Sequence, residues 1–304
     1  MAALIRQVAL VSESNQVSKS DVSKVSAALQ KQATRDFAEI WDVSATVDAF
    51  DKLEDVPIGY WPMIIRDDID VPGAAGIHED KDGQPFALIS ASSDLDTWSL
   101  TASHEAFEML ADPFGNRTQT GDSPKPDQGR VNFLVEVCDP CEAADFGYSV
   151  NGILVSDFYT PKYFDPVVGS GVRYSYTGAL TEPRQVLQGG YLSWLEPVSG
   201  HWWQEIWFDG AQATFRDIGP VDQKASGNVR AAIDRITMPD TLKALARGRR
   251  QAKAAGLTAA IAGQSSIAKA ARLREQINEM LGRPPGEPSA PSGVERRSAR
   301  RVRK

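Results

Sequence analysis

A chain of 304 residues, 42% hydrophobic and 24% charged, can build one sizeable domain with an appendage or two small domains. No apolar run approaches the ~18 residues needed to cross a bilayer, and two cysteines alone, Cys138 and Cys141, exclude a disulfide framework. The net charge of −7 is unevenly spread: residues 241–304 carry 15 Lys/Arg against 4 Asp/Glu, which leaves 18 against 36 in residues 1–240, an acidic body before a basic tail.

Residues 3–11 predict a first strand rather than a signal peptide, so the expected compartment is the cytoplasm. Packaging into a particle, or export with one, would leave no readable mark. Ser20 or Asp21 can cap a helix reaching about Trp41, with Val22, Val25, Leu29, Ala33 and Phe37 near helical spacing. Residues 43–50, 60–66 and 86–90 read as strands, and Gly73 and Gly76 as loop positions. A helical pattern then runs from Asp96 until Pro113 stops it.

That helix holds the chemistry. His104 and Glu108 are four apart and stack on one face, where an imidazole and a carboxylate can share one metal ion. Glu105 is rotated by roughly 100° and points beside them. This is the logic of the H-E-x-x-H zinc helix with the second His replaced by Glu. Asp112 lies on nearly the same face but about 12 Å along the axis from His104. It serves as a ligand only if the helix unwinds early, and is otherwise a C-terminal turn binding backbone donors of the next loop.

Downstream, residues 131–137 form an apolar run, and Asn151-Gly152 signals a hairpin within 148–159. G-G-Y-L-S-W-L-E-P and G-H-W-W-Q-E-I-W-F-D-G hold four of the seven tryptophans and read as strands of an aromatic-rich subdomain. Cys-Asp-Pro-Cys reads as two small apolar residues beside a turn, with a redox pair or half a zinc knuckle as alternatives. After Gly219-Pro220 helical patterns take over, and from Gly282 onward Pro, Gly, Ser and Arg predict disorder. The expected division is therefore 1–220 as a metal-binding domain, 221–282 as a basic helical appendage and 283–304 as an Arg-rich tail. Lys243, Arg247, Arg249, Arg250 and Lys253, then Arg296, Arg297, Arg300, Arg301, Arg303 and Lys304, suit nucleic acid, an anionic surface or an assembly partner.

The words S-H-E-A-F-E-M-L-A-D-P, V-E-V-C-D-P-C-E-A, N-G-I-L-V-S-D-F-Y-T-P-K-Y-F and G-G-Y-L-S-W resemble a family of bacterial and phage-associated proteins with a zincin-like S-H-E-x-x-E-x-x-x-D-P core, a resemblance that covers roughly residues 1–210. The resemblance implies an α+β fold, a mixed sheet with an active-site helix, and metal-dependent hydrolysis of peptide bonds. It implies an acidic pair at Glu136 and Asp139. Glu136, 28 residues beyond Glu108 in a segment able to return beside the helix, is the expected third ligand. Asp139 would hold His104 by its other ring nitrogen, or the two roles could be exchanged. Glu105 would be general base, and His201, His78, Tyr148 and Tyr159 are candidate donors to the transition state. One His with two carboxylates suits Zn²⁺ or a harder ion such as Mn²⁺. By the same likeness, residues 85–91 would be a sheet edge that pairs with an extended peptide. The alternative is a non-catalytic particle component on a zincin-like scaffold, with the basic tail docking nucleic acid or a partner.

Overall fold

Val8, Ala9, Leu10 and Val11 have no exposed surface, because the first strand, β1 (Arg6–Ser12), runs inside a sheet covered on both faces. The computed structural model describes residues 5–71, 73–222 and 227–237. All of these fall in one unit, Met1–Ala246; the second unit, Arg247–Lys304, lies outside the described residues, as do the predicted tail and the helices beyond residue 237.

β1 is followed by α1 (Lys19–Lys31), which Ser18 caps by accepting from the Asp21 amide. The rod continues through a wider π turn, Gln32–Phe37, and a last α turn, Ala38–Trp41, so the apolar stripe expected to reach Trp41 does form one continuous buried face. Then come β2 (Ala45–Phe50), β3 (Trp61–Arg66), β4 (Gly76–Lys81) and β5 (Gln84–Ser90), giving the sheet order β2-β1-β3-β5-β4. All neighbours are parallel except β4, which runs antiparallel to β5.

This corrects the expectation for residues 85–91. β5 is flanked by β3 and β4, and the edge is β4. The cause is local: Asp82 and Gly83 both take positive φ, 55° and 80°, and make a two-residue hairpin that folds β4 onto the side of β5. Gly76, expected in a loop, opens the edge strand. A Cβ there would come within 2.6 Å of Thr101 Cγ2 and 2.7 Å of Glu105 Oε1, so glycine allows the edge to pass close above the next helix.

That helix, α2 (Leu95–Ala111), starts one residue before the expected Asp96, since Asp94 is the cap and accepts from the Asp96 amide. Phe107 seats it, with ring centroids 4.8 Å from Phe37 and 5.9 Å from Phe158. Ser103 fixes its rotation: its hydroxyl donates to Gln32 Oε1 (2.9 Å) and accepts from the Ser156 amide (3.0 Å), while Gln32 donates to the Ser156 carbonyl. Such a closed buried network specifies one orientation.

The second sheet is antiparallel, ordered β12-β11-β10-β7-β6 and built from β6 (Thr118–Asp122), β7 (Arg130–Leu134), β10 (Tyr191–Glu196), β11 (His201–Ile206) and β12 (Thr214–Gly219). Between β7 and β10, the hairpin β8 (Tyr148–Val150) to β9 (Ile153–Val155) turns at Asn151-Gly152 with φ of 52° and 81°, as the dipeptide predicts. The fold is thus α+β with mixed sheets and few helices. Trp194 and Phe133 share one core cluster with Val8 and Phe107, so the aromatic strands do not enclose a core separate from the first sheet. Residues 229–237 are helical and pack Val229 and Ile233 on Leu134 and Trp202, so the body continues past Pro220. Among the described residues no helix is long and apolar enough to cross a membrane.

Candidate metal centre

One oxygen of Glu108 accepts a backbone hydrogen bond and the other meets charged or ionisable side chains. Oε1 accepts from the Cys138 amide at 3.2 Å, which turns Oε2 toward the His104 ring, 3.2 Å from Nε2. Asp139 Oδ1 stands 3.3 Å from the same nitrogen. Both oxygens are buried and held by ion-pair contacts alone, as are Glu105 Oε2 and Glu136 Oε2, which face Arg230 at 3.7 and 3.1 Å; Glu136 Oε1 is buried without a hydrogen-bond partner. Burying several carboxylates together is costly unless cations compensate them. Ligands about 2.0–2.1 Å from a tetrahedral ion lie roughly 3.3 Å from one another. The two measured separations, both taken from His104 Nε2, fit that edge and equally fit an imidazolium paired with two carboxylates.

Asp139 reaches this place on a short 3-10 turn, Asp139–Cys141, that the Cys-Asp-Pro-Cys word forms after β7. It faces the same ring nitrogen as Glu108, not the other one as the sequence suggested. Glu136 converges too: donor atoms of Glu108, Glu136 and Asp139 lie within 4.8 Å of one another. Three further groups could hold an ion on the same criterion: His104, Glu108 and Cys138; His104, Asp139 and Glu142; and His78, Glu105 and Glu108. Burial raises both thiols well above their ordinary range, so Cys138 and Cys141 are neutral, unbridged and apolar in behaviour.

The carboxylates crowd. Burial, reinforced by mutual repulsion, raises Glu136 well above the usual carboxylate range. Glu105 and Asp139 are raised well above it for the same first cause, although His104 partly offsets the effect. Burial would raise Glu108 as well, but His104 beside it prevails and its pKa falls. Burial disfavours charge on His104, yet Glu108 and Asp139 outweigh this and raise it well above the usual imidazole value. Burial also pushes Glu142 and Glu205 up to about 7 and Asp234 to about 6.

A stability profile follows. A group whose pKa is raised by folding stabilises the fold below its unfolded pKa and loses that contribution as pH rises through the folded value. Glu142, Glu205 and Asp234 therefore act together from about pH 4.5 to about 7, and His104 acts in the same direction. The melting temperature of the metal-free protein should fall between pH 5 and pH 8, as thermal unfolding monitored by circular dichroism would show. A melting temperature that rises over that range would contradict the assignment.

A cavity of about 400 Å³ opens onto the cluster. His104 and Glu105 line it together with Gly73–Gly76, Tyr191, Gln204 and Phe208. The His104 side chain is 12% exposed, while Glu108 is fully buried, so the imidazole is the open member of the pair.

The remaining sequence candidates separate. Asp112 turns into the following loop, where Oδ2 accepts from the Arg117 amide at 2.7 Å. Its carbonyl lies 3.2 Å from His78 Nε2. His201 lies on β11, half-exposed, with Nδ1 3.0 Å from Asp217 Oδ2, outside both the cavity lining and the groups above. The Tyr148 hydroxyl donates to Asp36 at 2.9 Å. The Tyr159 hydroxyl is buried and without a hydrogen-bond partner; burial first, then Tyr163, Glu136, Glu108 and Asp139, hold its pKa well above normal, so it stays protonated.

Two members of the cluster remain: His78, a candidate donor from sequence, and Arg230, which sequence did not place. His78 enters from the edge strand with Nδ1 3.5 Å from Glu105 Oε2 and 3.7 Å from Glu108 Oε2. The Asp82-Gly83 turn signal would have found that strand. Arg230 enters from the 229–237 helix, and no local pattern marks it. Compared with protein-family models, curated proteins and solved structures, the chain matches none.

Proposed function

We propose that this protein is a zincin-like, metal-dependent hydrolase of peptide bonds. The observation that carries the reading is the facing of His104 Nε2 by two buried carboxylate oxygens, Glu108 Oε2 and Asp139 Oδ1, at 3.2 and 3.3 Å. These three residues would hold the ion, with Asp139 in the ligand role first given to Glu136. One imidazole and two carboxylates suit Zn²⁺ and also Mn²⁺. A divalent ion bound there supplies Lewis acidity toward a water or carbonyl oxygen in the cavity.

Glu105 supplies the base. It follows His104 on the helix and lines the same cavity, so its carboxylate can take a proton from attacking water and return it to the departing amine. Burial raises its pKa well above the usual carboxylate range, which makes it a stronger proton acceptor than an exposed glutamate. The edge strand β4 offers its open side to an extended peptide by strand addition, the role sequence assigned to 85–91.

The test uses a library of fluorogenic peptides with zinc or manganese added back. Cleavage by the wild type should fall by at least roughly 100-fold in Glu105→Gln, the scale of a lost general base, with metal content unchanged. Equal cleavage by both proteins would remove Glu105 from the mechanism. A metal-loaded protein that cleaves nothing would favour a scaffold that keeps its ion for structure.

A further inference from the structure

The 229–237 helix is docked with care. Asn228 caps it by accepting from the Ala231 amide (2.7 Å), Asn116 accepts from the Val229 amide (3.0 Å), and the Gly115 carbonyl accepts from the Arg230 amide (3.1 Å). Gly115 leaves room for this: a Cβ there would lie 3.0 Å from Asn228 and 3.1 Å from Arg230. The docking delivers the Arg230 side chain, 7% exposed, into the carboxylate cluster. Its NH1 nitrogen lies 3.0 Å from Glu108 Oε2 and 3.1 Å from Glu136 Oε2, and NH2 lies 3.7 Å from Glu105 Oε2. NH1 also touches the His78 ring, and Nε is 3.6 Å from Asp234, one turn on along the same helix.

A guanidinium buried this way needs counter-charges, and it has taken those of the proposed active site. Glu108 Oε2 is the critical atom. It is the oxygen that faces His104 Nε2 at 3.2 Å, and the oxygen that faces Arg230 at 3.0 Å. One buried oxygen cannot serve a divalent ion and a guanidinium at full strength. Arg230 also lies against Glu105, so while inserted it competes for the base.

We infer that Arg230 is a tethered cation that competes with the divalent ion for Glu108, making segment 227–237 an intramolecular inhibitor of the site. The inference rests on the metal-site reading above. With the ion bound, the guanidinium retains Asp234, 21% exposed at the mouth of the cavity, as its partner.

The experiment is zinc binding, by chelator competition at fixed pH, for the wild type, Arg230→Met and Asn228→Ala, each with a folded circular dichroism spectrum. Asn228→Ala keeps Arg230 but weakens the cap that delivers it, and it serves if Arg230→Met does not fold. Arg230→Met should bind zinc at least about tenfold more tightly than the wild type, and Asn228→Ala more tightly by a smaller factor. Affinities equal to or weaker than the wild type in both variants would overturn the inference while leaving the metal site intact. Absence of zinc binding in all three proteins would overturn the metal-site reading and the inference with it.

Discussion

His104→Ala should give a folded protein whose affinity for zinc drops by more than the roughly 10–100-fold that loss of a supporting partner costs. The imidazole faces both Glu108 Oε2 and Asp139 Oδ1 and is the most exposed of the three side chains, so its removal costs the core little. Asp139→Ala should match it, because Asp139 Oδ1 faces the same nitrogen at 3.3 Å. Glu136→Gln should do less, since the Glu136 carboxylate lies 3.1 Å from Arg230 and is engaged there. Titration calorimetry on the three variants ranks them directly. If Glu136→Gln lost the ion and Asp139→Ala kept it, the ligand set inferred first from sequence would be the correct one.

Phe107→Ala should destabilise the protein by about 3–5 kcal/mol, the usual cost of emptying a fully buried phenylalanine site. Phe107 has no exposed surface and lies between Phe37 and Phe158, joining the π turn of the first rod to the active helix. Collapse is limited, because the network of Gln32, Ser103 and Ser156 holds the same elements apart at a fixed angle. Urea unfolding measures the loss. A change below 1 kcal/mol would mean that the helix is seated by its polar contacts instead.

The parts legible in sequence were those with short-range causes. A 3.6-residue stripe showed the first rod up to Trp41, and spacing alone put His104, Glu105 and Glu108 at one end of a helix. Strand order was less accessible. Which parallel strand becomes an edge depends on crossovers that pack layers, so β5 was taken for the edge although Asp82-Gly83 carried the hairpin that covers it. Sequence left the roles of Glu136 and Asp139 exchangeable, because the 3-10 turn that aims Asp139 has no periodicity to read. Arg230 is beyond local reasoning altogether: its partners Glu108 and Glu136 are brought to it by the docking of a helix on Gly115 and Asn116.

The central claim is that His104, Glu108 and Asp139 form a metal site. Crystals soaked in zinc, with diffraction recorded on both sides of the zinc absorption edge, test it most directly. The account predicts one strong anomalous peak about 2 Å from His104 Nε2, Glu108 Oε2 and Asp139 Oδ1. A cluster with no peak at saturating zinc, or a peak held by His78, Glu105 and Glu108 alone, would contradict it.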